Sequence, residues 1–203
     1  MENISNAKLS ILKDSYKLFL TNNIEKVTIT ELEKACNKIR GTIFYHFCNK
    51  QTLFESVVAN IFFPSFKMPI DLLKIAIERP LQDFLLIYKN PEERVVHLIN
   101  NKYEINEAEV SYYNFISQAY KYYPNFQNRF EAIMINELQI LKSAISRAQC
   151  LNGYTTGKAE MFAYLFMLVG TGLTFQNGFV SNSSFKYNDY LFELEPLLFQ
   201  NEA

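Results

Sequence analysis

Leu9, Leu12, Tyr16 and Phe19 are separated by steps of three and four, the spacing that lines up apolar side chains on one face of a helix. The same steps return at Leu53, Val57 and Ile61. Little interrupts them, since 203 residues contain only six glycines and six prolines. Strands joined by tight turns draw on more of both. The chain is therefore expected to be all-α. Its 13 tyrosines, 18 phenylalanines and 49% hydrophobic content are enough for a substantial core and argue against global disorder.

Local signals set the helix ends. Thr28 followed by Glu31 is a capping box, so a second helix starts there and is expected to turn Leu32, Ala35 and Cys36 inward. Asn37 tolerates the left-handed conformation that ends a helix. A third helix is expected from about Ile39 to Phe47, and Asn49 would cap a fourth that Pro64 and Pro69 end. Further helices are expected over 69–88, 91–101, 106–122, 125–150, 156–179 and 187–199, with Asn90 capping the one that Pro91 opens. That makes nine to ten helices: a head at 1–48, a linker helix at 49–63 and a helical body at 64–203.

Several classes are disfavoured at this stage. The N-terminus lacks the apolar core of a secretory signal. The most apolar run, residues 161–175, is too short to span a bilayer comfortably and reads as a buried helix. Cys36, Cys48 and Cys150 form no C-x-x-C pair and suit free thiols in a reducing cytoplasm. No Gly-rich phosphate loop, nucleophile elbow or zinc-protease signature is present, so an enzyme is not expected. His97, with Glu92 and Glu93 its nearest acids, reads as a core histidine ahead of a pocket residue or a metal ligand. No metal site and no cofactor is expected.

The third helix carries the sharpest signal. On a helical wheel Ile39, Ile43 and Phe47 share the buried side, while Lys38, Gly41, Thr42 and Tyr45 face away and Arg40 lies at the boundary. Two short helices joined by a tight turn, the second showing charge and hydroxyls, describe a helix-turn-helix; an ordinary solvated hairpin is the alternative. A glycine inside a helix costs about 1 kcal/mol against alanine. An exposed Gly41 would return that by letting the major groove approach the backbone. Arg40 can donate two bonds to guanine, Thr42 can reach a phosphate or a thymine methyl, and Tyr45, His46 and Lys50 can donate to phosphates. Thr28, Thr30 and Lys38 complete the expected DNA-facing set. Residues 1–60 hold eight Lys/Arg against six Asp/Glu, a balance of +2 that leaves −3 for the rest. A weakly basic head on a weakly acidic body suits specific DNA binding.

These residues resemble the TetR family of bacterial transcriptional regulators. Thr28, Leu32, Ala35, Cys36, Asn37, Arg40, Gly41, Thr42, Phe44, His46, Phe47, Lys50 and Leu53 are read against its helix-turn-helix pattern, and RGTIFYHF is the specific part. The resemblance covers about residues 8–60. Asn37 stands where the family's turn glycine is usual, Lys38 and Ile39 where valine and a small polar cap are usual, and Phe44 where a tyrosine usually meets phosphate. Glu33 replaces a small alanine and is expected to point to solvent.

The resemblance implies a homodimer on a palindromic double-stranded operator and a small-molecule effector bound in the body. Ala163, Met167, Gly170 and Thr174 form a face of mostly small side chains, expected at the dimer interface rather than inside the subunit. Phe84, Tyr88, His97, Tyr112, Tyr113, Phe115, Tyr120, Phe162, Phe166 and Phe175 are the candidates for a pocket, although each also suits a core. The expected function is a transcriptional regulator, a repressor released by its ligand. A DNA-binding protein of the same fold answering to a protein partner is the alternative.

Overall fold

The computed structural model describes residues 5–152 and 158–180, and these residues are helical throughout apart from their turns. Helices α1 (Asn6–Thr21), α2 (Ile29–Cys36), α3 (Arg40–His46) and α4 (Lys50–Val57) come first. A π-helical turn (Val58–Phe62) then carries the chain into α5 (Phe63–Ser65). After it come α6 (Ile70–Glu78), α7 (Leu81–Ile87), α8 (Pro91–Tyr103), α9 (Ala108–Tyr122), α10 (Phe126–Leu151) and α11 (Ala159–Phe179). The helix expected over 187–199 lies outside the described residues.

Two proline positions differ from expectation. Pro64 does not end the fourth helix, because the wider π turn precedes it and Phe63 N–H donates to Val58 O, five residues back. A π turn of this kind absorbs a local mismatch without breaking the helix. The single helix expected over 69–88 is split at Pro80. Arg79, just before that proline, is extended (φ −104°, ψ 163°), as the ring requires of its predecessor.

The described residues form two compact units. One holds those up to Ser65 together with Val95–Phe130; the other holds Phe66–Arg94 and those from Glu131 on. Residues 95–130, expected in the body, thus belong with the head. Aromatic packing and one amide explain this. Tyr16 of α1 meets Phe115 of α9 edge-on at 4.9 Å and Tyr103 at 5.1 Å, and Phe115 also packs on Phe54 and Phe62. Gln118 accepts from Ile24 N–H at 2.7 Å and donates to Phe19 O. A head of such short helices gains most of its stability from packing of this kind.

In the second unit, Phe84, Tyr88, Leu141, Ala144, Ile145, Phe162, Ala163 and Phe166 form one buried cluster. Asn90 caps α8 as expected, accepting from Glu93 N–H at 2.9 Å. Its amide also donates to Thr174 Oγ1, which itself donates to Gly170 O at 2.9 Å. Arg94 and Glu137 form a buried two-bond ion pair at 2.9 Å.

Glu92 is buried, and one of its carboxylate oxygens has no hydrogen-bond partner. Desolvation pushes its pKa up, with the Thr171 hydroxyl opposing. The unfolded chain therefore ionises at lower pH than the native one, and stability drops as pH rises through that interval. Glu92→Gln is expected to raise the thermal midpoint at neutral pH. The gain should fade as pH drops to the ordinary carboxylate range, which unfolding scans across pH would read.

Candidate nucleic-acid interface

Helices of eight and seven residues, α2 and α3, are too short to stand alone, so their ends must be satisfied by specific groups. At the start of α2, Thr28 Oγ1 accepts from Glu31 N–H while the Glu31 carboxylate accepts from Thr28 N–H at 2.7 Å. The Thr28 N–H first, and then the Thr28 hydroxyl, donate to the Glu31 carboxylate and hold it below its ordinary pKa. At its end Asn37 is left-handed (φ 46°, ψ 46°), with Lys38 N–H donating to Glu33 O. This is the arrangement that usually employs glycine.

The start of α3 is different. Its N-cap is Ile39, whose side chain offers no acceptor. The carboxylate of Glu33 takes over, accepting from Arg40 N–H at 2.6 Å across the turn. Two expectations are corrected here. Glu33 does not point to solvent, and Ile39 is not in the core: it is 72% exposed, because an extended N-cap (φ −70°, ψ 152°) lies off the wheel of the helix that follows. Ile43 and Phe47 are buried as expected, whereas Ala35 is exposed.

The expected DNA-facing residues divide into three groups. Thr30, Lys38, Arg40, Gly41 and Tyr45 are exposed, Tyr45 at 85%. Thr42 and His46 are half-buried, with His46 edge-on to Tyr45 at 5.2 Å. Thr28 and Lys50 are used internally. The Thr28 hydroxyl serves the capping box, and Lys50 Nζ donates to Val27 O at 2.7 Å, holding the turn into α2. The Arg40 guanidinium lies over the Phe44 ring, 5.8 Å from its centre, so the missing tyrosine hydroxyl leaves a ring that positions an arginine.

Gly41 supplies the plainest geometric sign. A Cβ built on it meets nothing within 4 Å. Neither internal packing nor an unusual φ requires glycine there. Beside it Ile29, Arg40, Phe44, Cys48, Asn49 and Lys50 surround a concavity of about 530 Å³.

The body candidates fare less well. Ala163, Gly170 and Thr174 are buried within the chain and Met167 packs against the same core, so this face is not a dimer surface. Its small residues admit a close neighbour inside the subunit, and Thr174 is tied inward by Asn90. The exposed face of α11 lies opposite, with Met161, Tyr164 and Leu168 each at least half exposed.

The aromatic set does not converge on one pocket either. Phe84, Tyr88, Phe162 and Phe166 are core residues of the second unit and Phe175 is exposed there. Tyr112 and Phe115 are buried in the first unit, Tyr113 is half-buried and Tyr120 exposed. His97 is also corrected: it is exposed on α8 beside the Asn101 amide, not in the core. No cluster of potential metal ligands occurs among the described residues.

The cavity that the second unit does hold has a volume of about 370 Å³. Leu73, Ala76, Ile77, Ile140 and Ala144 form its apolar wall, with Asn136, Gln139, Ser143 and Arg147 as polar groups. Sequence reasoning missed it because aliphatic residues supply the wall. It missed Glu33 as well. The signal was there in the combination of an isoleucine at a cap position and an acid seven residues before the amide needing a partner.

Losing an N-cap acceptor costs about 1 kcal/mol. Glu33→Ala should therefore lower the head's unfolding free energy by about that amount, and adding Ile39→Asp should restore most of it. Chemical unfolding of the single and double variants tests this.

Comparison with known proteins accords with this geometry. Residues 11–57 match the family described as bacterial regulatory proteins, tetR family. No curated protein matches the chain by sequence. Solved structures share its fold. A TetR-family regulator from Agrobacterium tumefaciens superposes with a TM-score of 0.61 at 15% identity, covering 97% of each chain. NalD, the secondary repressor of the MexAB-OprM multidrug efflux pump in Pseudomonas aeruginosa, gives 0.55 at 17% over 97% of this chain and 96% of its own. A structure from Saccharomonospora viridis in complex with choline gives 0.58 at 17%, covering 94% and 95%. Among the described residues no helix is long and apolar enough to cross a membrane. Residues 11–57 thus carry the helix-turn-helix segment of bacterial regulatory proteins of the tetR family, and the chain shares its fold with solved regulators.

Proposed function

We propose that this protein is a sequence-specific DNA-binding repressor, dimeric on a palindromic operator and released by a small molecule bound in its second unit. Gly41 carries the DNA reading. Nothing inside the protein needs glycine at that exposed helical position, whereas a groove pressed against the helix would. Lys38, Arg40 and Tyr45 stand exposed around it, with Thr30 on α2. Arg40 would leave the Phe44 ring for guanine, while Lys38 and Tyr45 would hold phosphates.

A reading helix of seven residues makes a small interface, and two of them one helical turn apart read a palindrome. The exposed face of α11 with Met161, Tyr164 and Leu168 is the surface we assign to the dimer. An apolar face of this kind suits a partner better than solvent.

For the effector, the cavity of about 370 Å³ beside α6 and α10 lies in the range of roughly 300–1,000 Å³ that small-molecule sites occupy. The relative solved with choline supports a small ligand in this fold. Release requires only that the ligand favour one of two states of the protein over the other.

Binding to the DNA upstream of the coding region, titrated with salt beside scrambled DNA of equal length, tests the regulator reading. Tight binding to the native segment alone is expected; equal and steeply salt-sensitive binding to both would leave only a phosphate-binding head. Gly41→Ala should fold at least as well, with up to about 1 kcal/mol gained in helix propensity, and yet bind its operator more weakly. Unchanged affinity would remove the close-approach argument. Leu168→Glu should convert dimer to monomer in sedimentation while leaving the helical spectrum intact.

A further inference from the structure

Neither the fold of the head nor its hydrogen bonds explain Ile39. It is a large apolar side chain, 72% exposed, at the N-cap of α3. Ser, Thr, Asp and Asn are preferred at such a position, and isoleucine ranks with the poorest choices. The head supports this choice by an unusual route. Glu33 reaches across the turn to accept from Arg40 N–H, so the side chain at position 39 is released from capping. Stability alone would be served as well by a serine at 39, with no need of Glu33.

What isoleucine offers and serine does not is apolar surface at the leading end of the reading helix. The N-terminal residues of such a helix are those that meet base edges. In the major groove the only apolar group on a base edge is the C5 methyl of thymine. Lys38 and Arg40, exposed on either side of Ile39, are suited to the phosphate and the guanine that would flank it.

We infer that Ile39 reads a thymine methyl in each operator half-site, with Glu33 as the positioning residue that makes an apolar reader possible there. The inference rests on the DNA-binding reading proposed above. Burying one methyl between Ile39 and the groove corresponds to about fourfold in affinity per half-site.

The test begins with operators selected from a pool of randomised duplexes by the full-length protein. Deoxyuridine then replaces each thymine in turn, removing only the methyl. One thymine per half-site is expected to lose about fourfold on this change with the native protein. Ile39→Ser should abolish that difference while retaining binding, since serine can cap α3 and the fold is not put at risk. Ile39→Val should retain part of it. A thymine-to-uracil loss that persists in Ile39→Ser would assign the methyl to another side chain and overturn the inference. So would selected operators that show no methyl dependence anywhere. Failure to select any sequence would overturn the regulator reading as well, and differs visibly from selection without methyl dependence.

Discussion

The reading head depends on satisfying the backbone donors at the ends of α2 and α3. Helices of eight and seven residues have more unpaired end groups than internal bonds, so they exist only where side chains complete them. Thr28 and Glu31 close one end, left-handed Asn37 turns the corner, and Glu33 closes the next. Lys50 holds the carbonyl of Val27 just upstream. Residues that resemble DNA contacts in one dimension thus include two, Thr28 and Lys50, that build the scaffold instead. With the backbone fixed in this way, the exposed side chains of α3 can be chosen for what they touch outside.

That scaffold needs a floor, and α9 helps to supply it. Tyr16, Phe54, Phe62 and Phe115 meet in edge-on and tilted pairs, and the Gln118 amide bonds backbone groups at Phe19 and Ile24. Residues far apart in sequence therefore share one hydrophobic core with the head. An aromatic that reads as a ligand contact from composition becomes a packing residue once its neighbours are known, as Phe115 does.

The second unit shows the same ambiguity resolved in the other direction. Ala163, Gly170 and Thr174 form a face that any helix could approach closely, whether from the same chain or another. Burial settles it: these residues lie inside the subunit, and Asn90 extends the amide that caps α8 to bond Thr174. The exposed face with Met161, Tyr164 and Leu168 is the more apolar kind of surface that a helical pattern alone does not single out. On α11, which is apolar nearly all round, periodicity cannot say which side faces inward.

The sequence by itself determined the all-helical class, the capping box at Thr28, the turn at Asn37, the caps at Asn49 and Asn90, and the position of the helix-turn-helix. The class and the caps rest on interactions between residues three or four apart, the turn on what Asn37 tolerates, and the helix-turn-helix on a contiguous pattern, all of which a linear reading can follow. Only the tertiary structure decided that residues 95–130 join the head, that Ile39 is exposed, that Glu33 caps a helix it does not belong to, and that the small-residue face of α11 is buried. Each of those depends on contacts between segments separated by a turn or by many residues. Their partners are chosen by three-dimensional packing, about which local spacing contains no information.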